Sequence, residues 1–142
     1  MFEIKEVKTN RDLREFVNFQ FDLYKPYNLW VPPLKKDELK QLKPETNPSF
    51  KSLDARFWTA WKDGKCAGRI GALIHHDYNK KNKVKAGRFT RLEFIDDAEV
   101  VAGLLKKAED WFREKGMQKI HGPLGFNNLD NQGVVIEGFN FL

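Results

Sequence analysis

What the chain has little of narrows the field first. A single cysteine, Cys66, leaves no partner for an intramolecular disulfide and no set of thiols for a cysteine-based zinc site. No apolar run approaches the ~20 residues needed to cross a bilayer, and no secretory leader opens the chain, so the expected setting is cytoplasmic with no membrane partner. No internal repeat or low-complexity tract interrupts the 142 residues, which suit one compact domain over 1–142. Charge of one sign is not in great excess. A net charge of +5 permits anionic ligands, nucleotide cofactors and nucleic acid among them, without selecting one. Hydrophobic residues at 41% and aromatics at 13% then exclude wholesale disorder.

Periodicity supplies the elements. Phe2, Ile4 and Val7 alternate as one face of a strand. Thr9 or Asn10 can cap a helix whose Leu13, Phe16, Val17, Phe21 and Tyr24 recur at helical spacing, and Pro26 ends it. Trp30-Val31-Pro32-Pro33 is stiff, and Pro33 is placed to start a short helix through Leu34, Leu39 and Leu42 that Pro44 stops. Asn47-Pro48-Ser49 reads as loop. Arg56–Trp61 and Lys65–Tyr78 form strand-like runs across Lys62-Asp63-Gly64, a hairpin signal, with Gly68 and Gly71 marking a bulge or a close backbone approach. Asn79 to Arg91 carries six Lys/Arg and no acid. Arg88 to Ile95 is the next strand.

The stretch from Gly87 to Gly125 carries most of the functional information. It reads as strand, helix and strand, joined as a parallel crossover. The helix spans Ala98 to Lys115 with Val100, Val101, Leu104, Leu105, Ala108, Trp111 and Phe112 in one apolar stripe, and Gly116 suits the position after its end. Asp96 and Glu99 are spaced as a variant capping box. A strand running into a helix N-terminus is a natural anion site, because free N–H groups and the helix dipole converge there. Here Asp96, Asp97 and Glu99 stand where glycines would let a phosphate approach. Met117–His121 returns as a strand, Gly122-Pro123-Leu124-Gly125 is a turn, and Val134-Val135-Ile136 is expected to form a last strand.

Strand, two helices, hairpin, third meander strand, helix and strand is an order that resembles the acetyl-CoA-dependent GNAT N-acyltransferases. The likeness extends to a bacterial subgroup through Trp30 to Pro33, Phe94 to Asp97 and Gly122 to Phe126. The resemblance implies an α/β (α+β) fold with a mixed central sheet. It implies transfer of an acetyl or other acyl group from coenzyme A, as acetyl-CoA or another acyl-CoA, to an amine of a small molecule or peptide. In such folds the fourth and fifth strands splay and the pantetheine arm lies between them. The backbone N–H groups of Phe94 and Ile95 would polarise the thioester carbonyl, and the pyrophosphate would rest near Asp97, Val101, Ala102 and Gly103. Two departures accompany the likeness. The family's glycine-containing phosphate loop is replaced by Asp97-Ala98-Glu99-Val100-Val101-Ala102-Gly103. The usual last helix and strand are not expected, and no tyrosine follows Tyr78 to act as general acid. A catalytically silent GNAT-like binding or assembly module is therefore the alternative, and either a homodimer or the missing C-terminal region of a longer chain suits the exposed sheet edges.

The candidate residues each have a plain structural role beside the chemical one. Glu93, out of phase with Leu92 and Phe94, is the candidate general base or a surface carboxylate. His121, ending the fifth strand, is a candidate base or substrate contact or a hydrogen-bonded structural histidine. Asn127 and Asn128 either meet the pantetheine amides or form a turn. Asp96, Asp97 and Glu99 are helix caps, or with a divalent cation an anion-tolerant site. His75 and His76, as neighbours on a strand, face opposite ways, and no metal site is expected from them. Cys66 is expected to pack. Lys80, Lys81, Lys83, Lys85, Arg88 and Arg91, interleaved with Tyr78 and Phe89, form a solvated loop, a nucleic-acid surface, or a contact for the ribose phosphate of coenzyme A.

Overall fold

The computed structural model describes residues 1–140. Five strands form one mixed sheet in chain order: β1 (Phe2–Glu6), β2 (Leu53–Lys62), β3 (Lys65–His75), β4 (Ala86–Phe94) and β5 (Lys119–His121). The first four pair antiparallel, and β5 lies parallel to β4. Helix α1 (Asn10–Tyr24) and helix α2 (Lys35–Gln41) follow β1, α3 (His76–Asn82) links β3 to β4, and α4 (Ala98–Glu114) is the β4–β5 crossover.

Two cores sandwich the sheet. On one face Trp58, Ile70, Ala72 and Ile74 meet Val100, Leu104, Ala108, Trp111 and Phe112 of α4. On the other Leu53, Phe57 and Leu73 meet Leu13, Phe16 and Val17 of α1, together with Leu42 and Phe126. Each large side chain buried in this way contributes roughly 1.5–3 kcal/mol, so the amphipathic stripes fix both helices. Phe19, outside the expected α1 stripe, is buried as well. The Thr9 hydroxyl accepts from the Asp12 N–H while the Asp12 carboxylate accepts from the Thr9 N–H, which closes a capping box on α1.

Several expectations are corrected by local physics. The second hairpin strand stops at His75, where the His75 ring accepts from the Tyr78 N–H and starts α3; His75 and His76 are thus a cap and a first helical residue, not strand neighbours. The run after Tyr78 is helix to Asn82 rather than loop. Pro48–Lys51 is a 3-10 turn capped by Asn47. Asp97, not Asp96, caps α4: its carboxylate accepts from the Glu99 N–H at 3.0 Å. Val134, Val135 and Ile136 form no strand and are exposed. Among the described residues no helix or strand follows β5, and no helix is long and apolar enough to cross a membrane.

Candidate functional site

β4 is nine residues long, but β5 pairs with it only through Ala86–Arg88 opposite Lys119–His121. The chain then turns at Gly122-Pro123, Leu124 donates its N–H to the Phe89 carbonyl at 3.0 Å, and Phe126 bends onto the α1–α2 face. Beyond Phe89 no strand among the described residues lies beside the outer edge of β4. The pairing on the inner edge is interrupted between Arg69 and Gly71, where Arg91 takes a left-handed φ of 53°. Such a bulge bends a strand and re-aims the residues that follow.

The ladder decides which amides face that open edge. The Ile95 N–H donates to the Ala67 carbonyl at 2.9 Å and is therefore turned toward β3. Hydrogen-bonding direction alternates along an antiparallel pair, so Phe94, opposite Gly68, turns its N–H to the outer edge. Of the two expected amides, Phe94 is directed at the gap and Ile95 is already committed. The Ile95 side chain instead lines a groove of about 630 Å³ with Phe19, Leu23, Trp61 and Cys66.

Glu93 is not a surface carboxylate. Its side chain is 13% exposed and its Oε1 accepts from Arg69 Nη2 at 2.8 Å and Gln20 Nε2 at 2.9 Å. Arg69 itself is 1% exposed; it also donates to the Phe16 carbonyl and lies over the Phe16 ring. Burial pulls the Arg69 guanidinium below its ordinary pKa, and Glu93 opposes that pull. Burial, then the adjacent Glu93 carboxylate, pushes the Tyr24 hydroxyl well above the usual phenol range. Glu93 Oε2 is buried and has no hydrogen-bond partner among the described residues. Arg69, Gln20 and Tyr24 were missed by sequence reasoning. The available signal was an arginine inside the otherwise apolar run Ala67–Ile74, which must find an acid.

A second buried cluster sits one bulge away. Arg91 pairs with Glu38 of α2 at 3.1 Å and with Asp130 at 3.3 Å, beneath a cleft of about 370 Å³ between α2 and the segment after β5. Asn127 lines this cleft, and its side chain accepts from the Leu129 N–H at 2.8 Å as a turn former. His121 is exposed and stands opposite Arg88, five positions along β4 from Glu93. At ~3.3 Å per residue that is about 16 Å. Glu93 and His121 are not brought together.

The α4 N-terminus is occupied by its own side chains. Lys62 Nζ lies 2.6 Å from Asp97 and 3.5 Å from Glu99, a cation that the sequence reading did not connect to this turn. The Lys62 hydrogen bond is the main cause holding the Asp97 carboxyl below its ordinary value, and Asp97 in turn raises Lys62. Three carboxylates against one ammonium still outweigh the roughly half-charge of the helix dipole. Val101 N–H is spent on the Asp97 carbonyl, and Ala102 is exposed. Gly103 is turned to β1, where an added Cβ would meet Phe2 at 2.9 Å and Ile4 at 3.0 Å. The arrangement fits an amide-bearing arm along β4 better than it fits a pyrophosphate at α4.

The remaining candidates separate. Arg88 covers the Tyr78 ring and Arg91 is internal, which leaves Lys80, Lys81, Lys83 and Lys85 as an exposed basic group. That group lies at the start of β4, about 25–30 Å along the strand from the α4 N-terminus, too far to serve a phosphate there. Cys66 is half-buried and its thiol is pushed up to about 11, chiefly by burial. Among the described residues no group of three or more His, Cys, Asp or Glu could hold a metal.

The comparisons bear on this geometry. No family model matches the chain. A putative acetyltransferase from Pyrococcus furiosus superposes with a TM-score of 0.56 over 97% of this chain and 99% of its own, at 15% identity. A predicted acetyltransferase from Clostridium acetobutylicum, solved with acetyl-CoA, superposes at 0.58 over 85% and 79%, at 13% identity. The chain has the GNAT acyltransferase fold. Among curated relatives, Protein YghO of Escherichia coli is 32% identical over 96% of this chain, and a bacterial ceramide synthase of Caulobacter vibrioides is 29% identical over 94%. The chain spans 35% of the length of each of these relatives.

Proposed function

We propose that this chain is a single GNAT-like module of an N-acyltransferase, taking an acyl group from coenzyme A to an amine. The observation that carries the reading is the open outer edge of β4, with the Phe94 N–H directed into it and Glu93 one residue away. Phe94 N–H donates to the thioester carbonyl as negative charge grows there. Glu93, held in place by Arg69, attracts the incoming amine and receives its proton, directly or through water. The amine nitrogen bonds to the carbonyl carbon, the carbon–sulfur bond breaks, and the sulfur leaves as a thiolate that takes its proton from water. His121 stands too far along β4 to share this proton and serves as an outer contact.

The fold and the acetyl-CoA-bound neighbour support a coenzyme A thioester as co-substrate. The ceramide synthase relative supports a lipid amine as acceptor, since a ceramide is an N-acyl amide. The capped α4 N-terminus favours the second reading, a silent module that binds no coenzyme A. Calorimetric titration with acetyl-CoA and a long-chain acyl-CoA separates the two. Heat with a thermal shift supports transfer; neither with any thioester rejects it. Glu93→Gln leaves the buried Arg69 without its acid and is expected to melt earlier; assayed below that melting temperature it should release thiol about a hundredfold or more slowly, and full activity in that variant would remove Glu93 from the proton path.

A further inference from the structure

We propose that the loop between α1 and α2 docks this protein onto an anionic lipid bilayer. Within ten residues it holds out Tyr27, Leu29, Val31 and Leu34, each more than half exposed. These side chains are not loose. Trp30 turns inward onto Phe21 and Tyr24, with ring centroids 5.4 and 5.1 Å away, and Tyr27 donates its N–H to the Tyr24 carbonyl at 2.9 Å. Pro26, Pro32 and Pro33 stiffen the segment between those anchors.

Charge then selects the occupant. Lys25, Lys35 and Lys36 flank the apolar tip, and no acid lies between Lys25 and Lys36. None of these lysines is in an ion pair among the described residues; Lys35 lies over the Phe21 ring at 4.6 Å. Apolar side chains projecting beyond a lysine rim match the layered chemistry of an anionic bilayer, with acyl chains below and phosphates at the surface. The Lys80–Lys85 group offers only Tyr78, which lies under Arg88 and is 39% exposed, where the loop holds out four side chains each more than half exposed. Lying on a membrane is a different property from spanning one, so the lack of a spanning helix is no obstacle.

The position of the loop gives docking a consequence. It continues from Tyr24, which adjoins Glu93, whereas the Lys80–Lys85 group lies at the opposite end of β4. Docking through this loop would bring the lipid surface to the end of α1 that adjoins Glu93. The proposal does not depend on acyl transfer, and vesicles free of any thioester test it.

The test is co-sedimentation of the full chain with phosphatidylglycerol–phosphatidylcholine vesicles and with phosphatidylcholine alone. The expected result is binding to the anionic vesicles that weakens with salt. Lys35→Gln and Lys36→Gln should each reduce it about fivefold, and Leu29→Ser/Val31→Ser/Leu34→Ser should abolish it. Lys80→Gln/Lys81→Gln/Lys83→Gln should leave it intact. Should the triple serine variant melt early, the two lysine variants decide instead. The proposal is overturned by no binding to anionic vesicles, or by binding indifferent to the loop and lysine variants. A wild-type dimer that the serine variant turns into monomer would also overturn it, making a second copy the occupant.

Discussion

An arginine inside an apolar strand has to find a carboxylate, and Arg69 finds Glu93 across the β3–β4 pair. Removing one member of a buried ion pair leaves the other charged and unpaired, at a cost of about 3–5 kcal/mol. Arg69→Met is therefore expected to lower stability by about that amount in a denaturant titration, and Arg69→Met/Glu93→Leu to regain most of it. Equal loss in the single and double variants would mean that packing, not charge, is at stake. Cys66 gives a test with pH. Its folded thiol is held near 11 against an ordinary 9.0, so the unfolded chain releases its proton first as pH rises. This contribution to stability is complete below pH ~9 and declines between ~9 and ~11. A Cys66→Ala variant should lack that decline, and iodoacetamide labelling of the folded wild type should rise through the higher value. Glu93 as a candidate was legible from its phase on the strand; its partners were not, because they come from β3 and α1, remote in sequence.

At the scale of elements, the helix stripes and the hairpin were readable because burial imposes a period on the sequence. Three boundaries were not. His75 ends β3 by accepting from a backbone N–H, which no periodicity announces. Asp97 rather than Asp96 caps α4, since Lys62 draws its carboxylate into place across the hairpin end. Val134–Ile136 has strand-like composition but joins neither free edge of the sheet, which composition does not announce. The α4 N-terminus yields its own prediction. If Asp97 and Glu99 oppose a pyrophosphate, Asp97→Ala/Glu99→Ala should bind acetyl-CoA more tightly by calorimetry, with the gain largest at low salt. Unchanged affinity would mean that the phosphates rest elsewhere.

For the whole molecule, the decisive property is that β4 outruns β5. Order and spacing of elements are enough to suggest the GNAT fold, and the splay follows as an expectation of that fold. The assignment of individual amides did not, because the bulge at Arg91 sets which residues turn outward, and a left-handed arginine leaves no mark in composition. Amide hydrogen exchange at two adjacent residues tests the account most directly. In the free protein Ile95 should be protected by Ala67 and Phe94 should exchange fast; saturating acetyl-CoA should slow Phe94 and leave Ile95 unchanged. A Phe94 amide already protected without the thioester, or unaffected by it, would contradict the claim that this edge holds the acyl donor.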